Sequence, residues 1–426
     1  MNFRMKHLIF PVRKECRLAV QSVFPVRVNP DESYTMRIFP LSGLRKYGLR
    51  NTGHMPDAAA EAFFAERHTL SKEGEELILQ VSFPQEDQYI CRLYAADTEI
   101  AAMEVYALEE DLFPLNPYKG DNHLHTYFSD GKDSPMYMAA AACRFGYDYC
   151  LITDHHKYQP SLLARDFFAP TGVDFLVVPG EEVHSPDNPV HIINWGGEES
   201  VNVWFEENEG QYRAEVDSEM ACITEPMTDA DRYSAAACQV IFDRIRRVNG
   251  LSILCHPHWI LPNGFNEHED VTEYLADHKR FDVLELIAGG AYEEGTQLQL
   301  SYYKERPAMS IVGSSDSHGC FGGGLEPGNF TVVFADALDV ESLKASIRSS
   351  LSVAGCGNRF YGDYRLVKYA YFLQHNYFPE HMKKRGQLGA WMLRMASSGG
   401  TTARPGDQAE SIRPSEDFAA LRYMEA

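Results

Sequence analysis

The sequence predicts an α/β barrel preceded by a β-rich domain and followed by C-terminal helices. Three observations carry that expectation. Up to Leu115, apolar and polar residues alternate over short stretches separated by Pro, Asn and Gly. From Tyr118 the pattern changes to short, continuous apolar runs, each followed by a stretch with helical spacing. Side chains able to ligate metals then cluster just after nearly every one of those runs.

In residues 1–115 the alternating segments Cys16–Val28, Tyr34–Phe39, Glu76–Phe83 and Tyr89–Ala95 read as short antiparallel strands. In residues 116–362 the runs Tyr149–Thr153, Phe175–Pro179, His191–Trp195, Leu251–Cys255, Val283–Ile287, Met309–Gly313 and Thr331–Phe334 are continuous, as in parallel strands buried on both faces. Between them lie helical stretches. Pro135–Phe145 has Ser134 as N-cap, Pro135 at the first helical position and Gly146 as its stop. Tyr233–Val248, Val271–His278, Gly295–Lys304 and Val340–Ser349 are the others. Repeated strand-then-helix units predict a barrel whose site lies at the C-terminal ends of its strands. Residues 197–230 interrupt the rhythm as an acidic, irregular insertion, longer than an ordinary connection, that suits either a lid or a solvated excursion. Residues 363–426 follow as a helical extension. It comprises Tyr364–Tyr377, Glu380–Ala396, a flexible linker at 397–411 and a short docking helix.

Composition narrows the function. Of the 426 residues, 44% are hydrophobic, 12% aromatic and 23% charged, which excludes a disordered chain. No run reaches the ~18 apolar residues of a membrane span. A net charge of −22 disfavours binding to duplex nucleic acid, which needs a basic face. The N-terminal apolar stretch is too short for a signal peptide, so a cytoplasmic protein is expected. Nine cysteines, never in a CxxC pair, argue against both a disulfide framework and a cysteine-rich zinc module.

The sixteen histidines are more informative. The clusters are Asp121-Asn-His123-Leu-His125, Ser129-Asp130-Gly131, Thr153-Asp154-His155-His156, Gly180-Glu181-Glu182, His191, Cys255-His256-Pro257-His258 and Ser315-Asp316-Ser317-His318. An HxH at a strand end turns both imidazoles to one side, because side chains alternate with period 2. One such pair decides little, whereas seven clusters of one chemistry, nearly all at predicted strand ends, point to a shared metal site.

These motifs, in this order, resemble those of the PHP (polymerase and histidinol phosphatase) superfamily of metal-dependent phosphoesterases. The resemblance covers Asp121–Val333 and rests on HLHTYFSDG at 123–131, TDHH at 153–156, PGEE at 179–182, His191, HPH at 256–258 and SDSH at 315–318. It implies a distorted (β/α)7 barrel, TIM-like in architecture, holding two to three divalent ions (Zn, Mn or Fe). By the same resemblance His123, His125, Glu182 and Asp316 hold the first ion, and Glu182 bridges to a second held by His191 and His256. Asp130, His155 and His318 hold the third. The N-terminal β domain and the C-terminal helices lie outside it.

The residue chemistry agrees. Six imidazoles and three carboxylates without a thiolate suit Zn²⁺, Mn²⁺ or Fe²⁺. Three such ions would leave a local surplus of roughly +3, attractive to a small phosphorylated substrate. Alternation turns Glu181 away from its neighbour Glu182. Asp154 is expected to orient a ligand, and His156 to pack or face solvent. His258 is the candidate donor of a leaving-group proton or a substrate contact, with a structural role as the equal alternative, and Arg359 is the candidate anion clamp. The glycine-rich loop Gly319–Gly328 is a candidate for backbone approach to a phosphate. The expected activity is hydrolysis of a small phosphate mono- or diester through a metal-bridging hydroxide. The alternatives are attack on a carbamate, ester or amide by the same site, and a non-enzymatic scaffold that has kept its ligands.

Overall fold

In the computed structural model, described for residues 2–42, 67–278, 280–289, 293–306, 308–321, 324–325, 328–398 and 412–424, two units form. They comprise Met1–Leu115 with Glu416–Ala426, and Asn116–Ser415.

The first unit is built from two sheets. One orders Phe3–Met5, Glu15–Ser22, Glu76–Ser82 and Ser71–Glu73; the other orders Ile9–Pro11, Thr98–Leu108, Asp87–Ala95, Tyr34–Pro40 and His68–Thr69. Alternate residues such as Leu18, Val20, Leu77, Leu79, Cys91 and Leu93 fill the core between them. The last residues of the chain join this unit: the Tyr423 amide donates to the Ile9 carbonyl at 2.8 Å, and its ring stacks on Phe10.

The second unit is mixed α/β and also carries two main sheets. A six-stranded sheet orders Leu176–Val178, Tyr149–Leu151, Asn116–Asp121, Asn329–Ala335, Ser352–Cys356 and Arg359–Tyr361. A five-stranded sheet orders Gly180–Val183, Ile192–Trp195, Leu251–Leu254, Val283–Ile287 and Ser310–Gly313. The expected all-parallel arrangement is corrected here. Asn116–Asp121 runs antiparallel to Asn329–Ala335, and Ile192–Trp195 is antiparallel to both its neighbours. Continuous apolar runs arise because both faces of these strands are covered, whatever their direction. Ile193, Trp195, Leu251 and Ile253 point into a core shared by the two sheets, while Ile192, Leu254, Leu284 and Leu286 pack under the outer helices.

The sheets curl toward one another and meet along two seams. At one, a bridge pairs Leu124 with Ser317; at the other, His155 pairs with Glu182. Every one of these residues lies in or beside a motif that carries candidate ligands.

Two further expectations are revised. Residues 197–230 are largely helical: Ser200 caps Val201–Glu207 by accepting from the Val203 amide at 3.1 Å, and Glu209–Met220 follows. Val201, Trp204, Phe205, Tyr212 and Val216 recur at helical spacing and bury one face, beneath an acidic outer face. The segment 363–426 is not a separate extension. Phe378–Ser397 packs on Pro135–Arg144, where a Cβ at Gly389 would collide with the Arg144 backbone. The contact is locked by buried Asp148, which receives His381 Nε2 at 2.7 Å and Arg385 Nη2 at 2.7 Å. Of the expected linker at 397–411, residues 399–411 lie outside the described residues.

Candidate metal centre

The ligand candidates converge because most follow strand ends, while Glu182 lies within Gly180–Val183 and His191 immediately precedes Ile192–Trp195. His123 and His125 leave Asn116–Asp121 on one side of the chain, as the HxH spacing requires. The His125 amide is held by the Ser317 carbonyl at 2.9 Å. Asp121 Oδ1 accepts from the amides of His123 (3.2 Å) and Ser315 (3.0 Å), tying the two ligand loops together. Asp154 performs a similar task for the Asp130 loop, accepting from the Thr126 amide at 2.8 Å and the Ser129 hydroxyl at 2.6 Å.

Glu182 is the hub. Its Oε2 lies 3.4 Å from His123 Nε2, 3.4 Å from His125 Nε2 and 2.8 Å from His155 Nδ1. Its Oε1 lies 2.7 Å from His191 Nδ1 and 3.7 Å from His256 Nε2. Asp316 Oδ1 approaches the Nε2 atoms of His123 and His125 at 3.4 and 3.1 Å. Beside this group, Asp130 Oδ2 faces His155 Nε2 at 3.5 Å and His318 Nε2 at 3.2 Å. The nine residues singled out from sequence therefore meet in one region. Glu181 points the other way, accepting from Ser200, Val201, Asn202 and Asn194, so it fixes the start of the Val201–Glu207 helix.

Two members went unnoticed in the sequence. Glu285, a lone carboxylate in the apolar strand Val283–Ile287, accepts from His123 Nδ1 at 3.0 Å and from the His256 amide at 2.9 Å. That contact places the His123 proton on Nδ1 and leaves Nε2 facing the hub, the usual role of a carboxylate behind a metal-bound imidazole. Its extra charge trims the expected surplus around three divalent ions to roughly +2. His184, two residues past Glu182, brings Nε2 to 2.8 Å from His155 Nδ1. The i, i+2 spacing that singled out His123 and His125 was its signal.

Neither of the two catalytic candidates belongs to these groups of potential ligands. His258 is buried edge-on against Phe265 and Tyr302 and joins none of the potential metal-binding groups among the described residues. The alternation that placed it beside His256 fails because the strand ends at Leu254 and His256 has φ +25°. Arg359 is exposed on the edge strand Arg359–Tyr361 and joins none of those groups either. In the glycine-rich loop, residues 322–323 and 326–327 lie outside the described residues. Left-handed backbone recurs in the site, at His156, His256 and Asp316, as expected where function over-rides local preference.

Both oxygens of Glu182, Nε2 of His123, both ring nitrogens of His125 and Nδ1 of His191 are buried without a hydrogen-bond partner among the described residues. Burying so many unpaired polar atoms costs free energy that a cation would repay through coordination. Charge tells the same story. Burial alone would raise Glu182, but His191 and His123 outweigh it and hold the carboxyl well below its ordinary range. Burial lowers His191 to about 4, despite Glu182, and so favours the neutral form a ligand must have. At His123 burial is outweighed by Asp316, Glu285 and Glu182, which raise its pKa and leave it holding a proton that a divalent ion would displace. The donor set thus fits divalent ions.

A cavity of about 520 Å³ opens beside the hub. His184 and His156 form its inner wall, and Asn202, Phe205, Glu206 and Glu209, all from the 197–230 segment, form the outer one.

No family model matches the chain. Over 56 residues it is 43% identical to the DNA polymerase/3'-5' exonuclease PolX of Bacillus subtilis (strain 168), a match that spans 13% of this chain and only 10% of that protein. Among solved structures it is similar to a two-domain protein of Bacteroides vulgatus ATCC 8482 described as containing a predicted PHP-like metal-dependent phosphoesterase. That likeness has 17% identity over 60% of this chain and 70% of the other, with a TM-score of 0.45. A candidate metal-dependent phosphoesterase of Bifidobacterium adolescentis ATCC 15703 is similar at 18% identity over 47% and 87% of the two chains, with a TM-score of 0.34. Both solved structures are described as PHP-like or metal-dependent phosphoesterases, and the likeness to each stays below 20% identity and a TM-score of 0.5.

Proposed function

We propose that the protein is a cytoplasmic, metal-dependent hydrolase of small phosphate mono- or diesters. The observation that carries this reading is the Glu182 hub: a buried carboxylate whose two oxygens lie among five imidazoles of the nine-residue set, without a hydrogen bond to any described residue. His123, His125, Glu182 and Asp316 would hold one ion, His191 and His256 with Glu182 a second, and Asp130, His155 and His318 a third. Divalent ions there would supply Lewis acidity toward a phosphoryl oxygen and acidify coordinated water.

The chain's own residues supply position. Glu285 fixes the His123 tautomer, and the Asp316 carbonyl, 2.9 Å from His318 Nδ1, orients that ring toward Asp130. Asp121 and Asp154 hold the loops that carry the ligands. The cavity beside His184 is sized for the alcohol part of a small ester. In this reading neither His258 nor Arg359 takes a step in the reaction.

The test compares metal-replete, chelated and re-metallated protein on p-nitrophenyl phosphate, bis-p-nitrophenyl phosphate and a p-nitrophenyl carboxylic ester. Phosphate-ester turnover that is lost on chelation and restored by Zn²⁺, Mn²⁺ or Fe²⁺ supports the reading. Preferential turnover of the carboxylic ester would favour a carboxyl-type hydrolase, and turnover indifferent to chelation would remove the metal from the reaction.

A further inference from the structure

His184 lies outside the nine donors but inside the cluster. Its Nε2 is 2.8 Å from His155 Nδ1 and 3.8 Å from Glu182 Oε1, and its ring centroid is 4.1 Å from that of His191. His155, Glu182 and His184 present donor atoms within 4.8 Å of one another. The His184 amide donates to Asn202 Oδ1 at 3.2 Å, which anchors this point of the chain to the Val201–Glu207 helix. The residue therefore stands between the hub and the cavity.

His155 faces two ways. Its Nε2 looks toward Asp130 and, with His125 and His318, completes one group of donors. Its Nδ1 looks toward Glu182 and His184. A neutral imidazole has one lone pair, because its other nitrogen carries the proton. His155 can thus donate to an ion on one side or the other, but not to both.

We propose that His184, Glu182 and Nδ1 of His155 form a further divalent-cation position, and that this position and the Asp130–His155–His318 position exclude one another through the His155 tautomer. The inference rests on the metal-binding reading above. Ion content is then governed by competition for one nitrogen, and the ion at His184 sits against the cavity wall. A merely positioning His184 has the opposite consequence. If its Nε2 only accepted the Nδ1 proton of His155, it would hold Nε2 of His155 ready for the Asp130 position, and losing it would weaken that position.

The experiment uses the full chain with Mn²⁺ alone. Metal-free wild type, His184→Asn and Asp130→Asn are titrated in chelator buffers, and Mn²⁺-saturated crystals of each are located by anomalous scattering. Expected is a peak about 2.0–2.3 Å from His184 Nε2, stronger in Asp130→Asn than in wild type. In His184→Asn, Mn²⁺ at the Asp130 position should bind several-fold tighter. Every peak lying beyond about 3 Å from His184 in wild type and Asp130→Asn would overturn the proposal. So would unchanged or weaker binding at Asp130 in His184→Asn. If that variant does not fold, the other two crystals decide. Binding confined to the other positions sinks this inference alone, whereas no binding anywhere sinks the metal reading with it.

Discussion

Replacing Glu285 by glutamine tests whether the cluster depends on a carboxylate outside the nine proposed ligands. Glu285 makes two buried contacts, to His123 Nδ1 at 3.0 Å and to the His256 amide at 2.9 Å. Both partners donate, and both of its oxygens accept. Glutamine keeps one oxygen and puts an amide donor where the other stood. If that amide faces His256, two N–H groups oppose each other. If it faces His123, it favours the tautomer with its proton on Nε2, aimed at the hub. Either outcome misplaces a ligand without changing a side-chain length. A carboxylate behind a metal-bound histidine is typically worth 10–100-fold in metal affinity, or about 1.4–2.7 kcal/mol. Glu285→Gln should therefore weaken the tightest Mn²⁺ or Zn²⁺ site by about 10–100-fold in a chelator-buffered titration, with circular dichroism unchanged. A folded variant that binds metal as tightly as wild type would refute the assigned tautomer of His123 and the role of Glu285.

The two neighbouring glutamates should separate cleanly. Glu182→Gln should lose metal and turnover while the fold persists, whereas Glu181→Gln should keep metal and lower the urea midpoint, since it disturbs four buried hydrogen bonds worth about 1–3 kcal/mol. His258→Ala should leave metal content and turnover near wild type and cost about 1–3 kcal/mol in packing; a hundredfold loss on an unactivated phosphate ester alone would restore it as a proton donor. Acid should release the lock on the Phe378–Ser397 helix. Burial opposes ionisation of Asp148, but His381 and Arg385 outweigh it and depress its pKa to about 2. The stability it contributes is therefore complete above about pH 4 and lost as pH falls through about 2. The urea-midpoint gap between wild type and Asp148→Asn should narrow over that window, and a constant gap would contradict the assignment.

The convergence of these histidines and carboxylates was readable in the sequence where short-range rules place them: period 2 orients His123 and His125, and turns Glu181 away from Glu182. That rule stops where the strand stops. Past Leu254 the left-handed His256 re-aims the chain, and His258 packs against Phe265 and Tyr302, a choice between its two readings that alternation could not make. Strand direction was equally hidden, because a continuous apolar run records that both faces are covered and says nothing about the neighbour's polarity. In 197–230 the density of carboxylates masked the spacing of Val201, Trp204, Phe205, Tyr212 and Val216. Glu285 belongs to no motif; its only trace was a charge inside the buried run VLELI, which burial energetics alone flag as needing a partner.

The seams between the two curled sheets would give bound ions a mechanical meaning. His123, His125, Asp130 and His155 extend from the six-stranded sheet, while Glu182, His191, His256 and Asp316 extend from the five-stranded one. Backbone pairing across the divide includes the bridges Leu124 to Ser317 and His155 to Glu182. An ion held by donors from both sides is a rivet through that joint. Binding only the closed form would stabilise it by RT ln(1 + [M]/Kd), about 2.7 kcal/mol at a hundredfold excess over Kd. Cellular metal supply would then set how tightly the unit is shut as well as how fast it turns over. Amide exchange at His125, His156 and Glu182, whose amides bond across the divide, would follow metal concentration before any distant strand does.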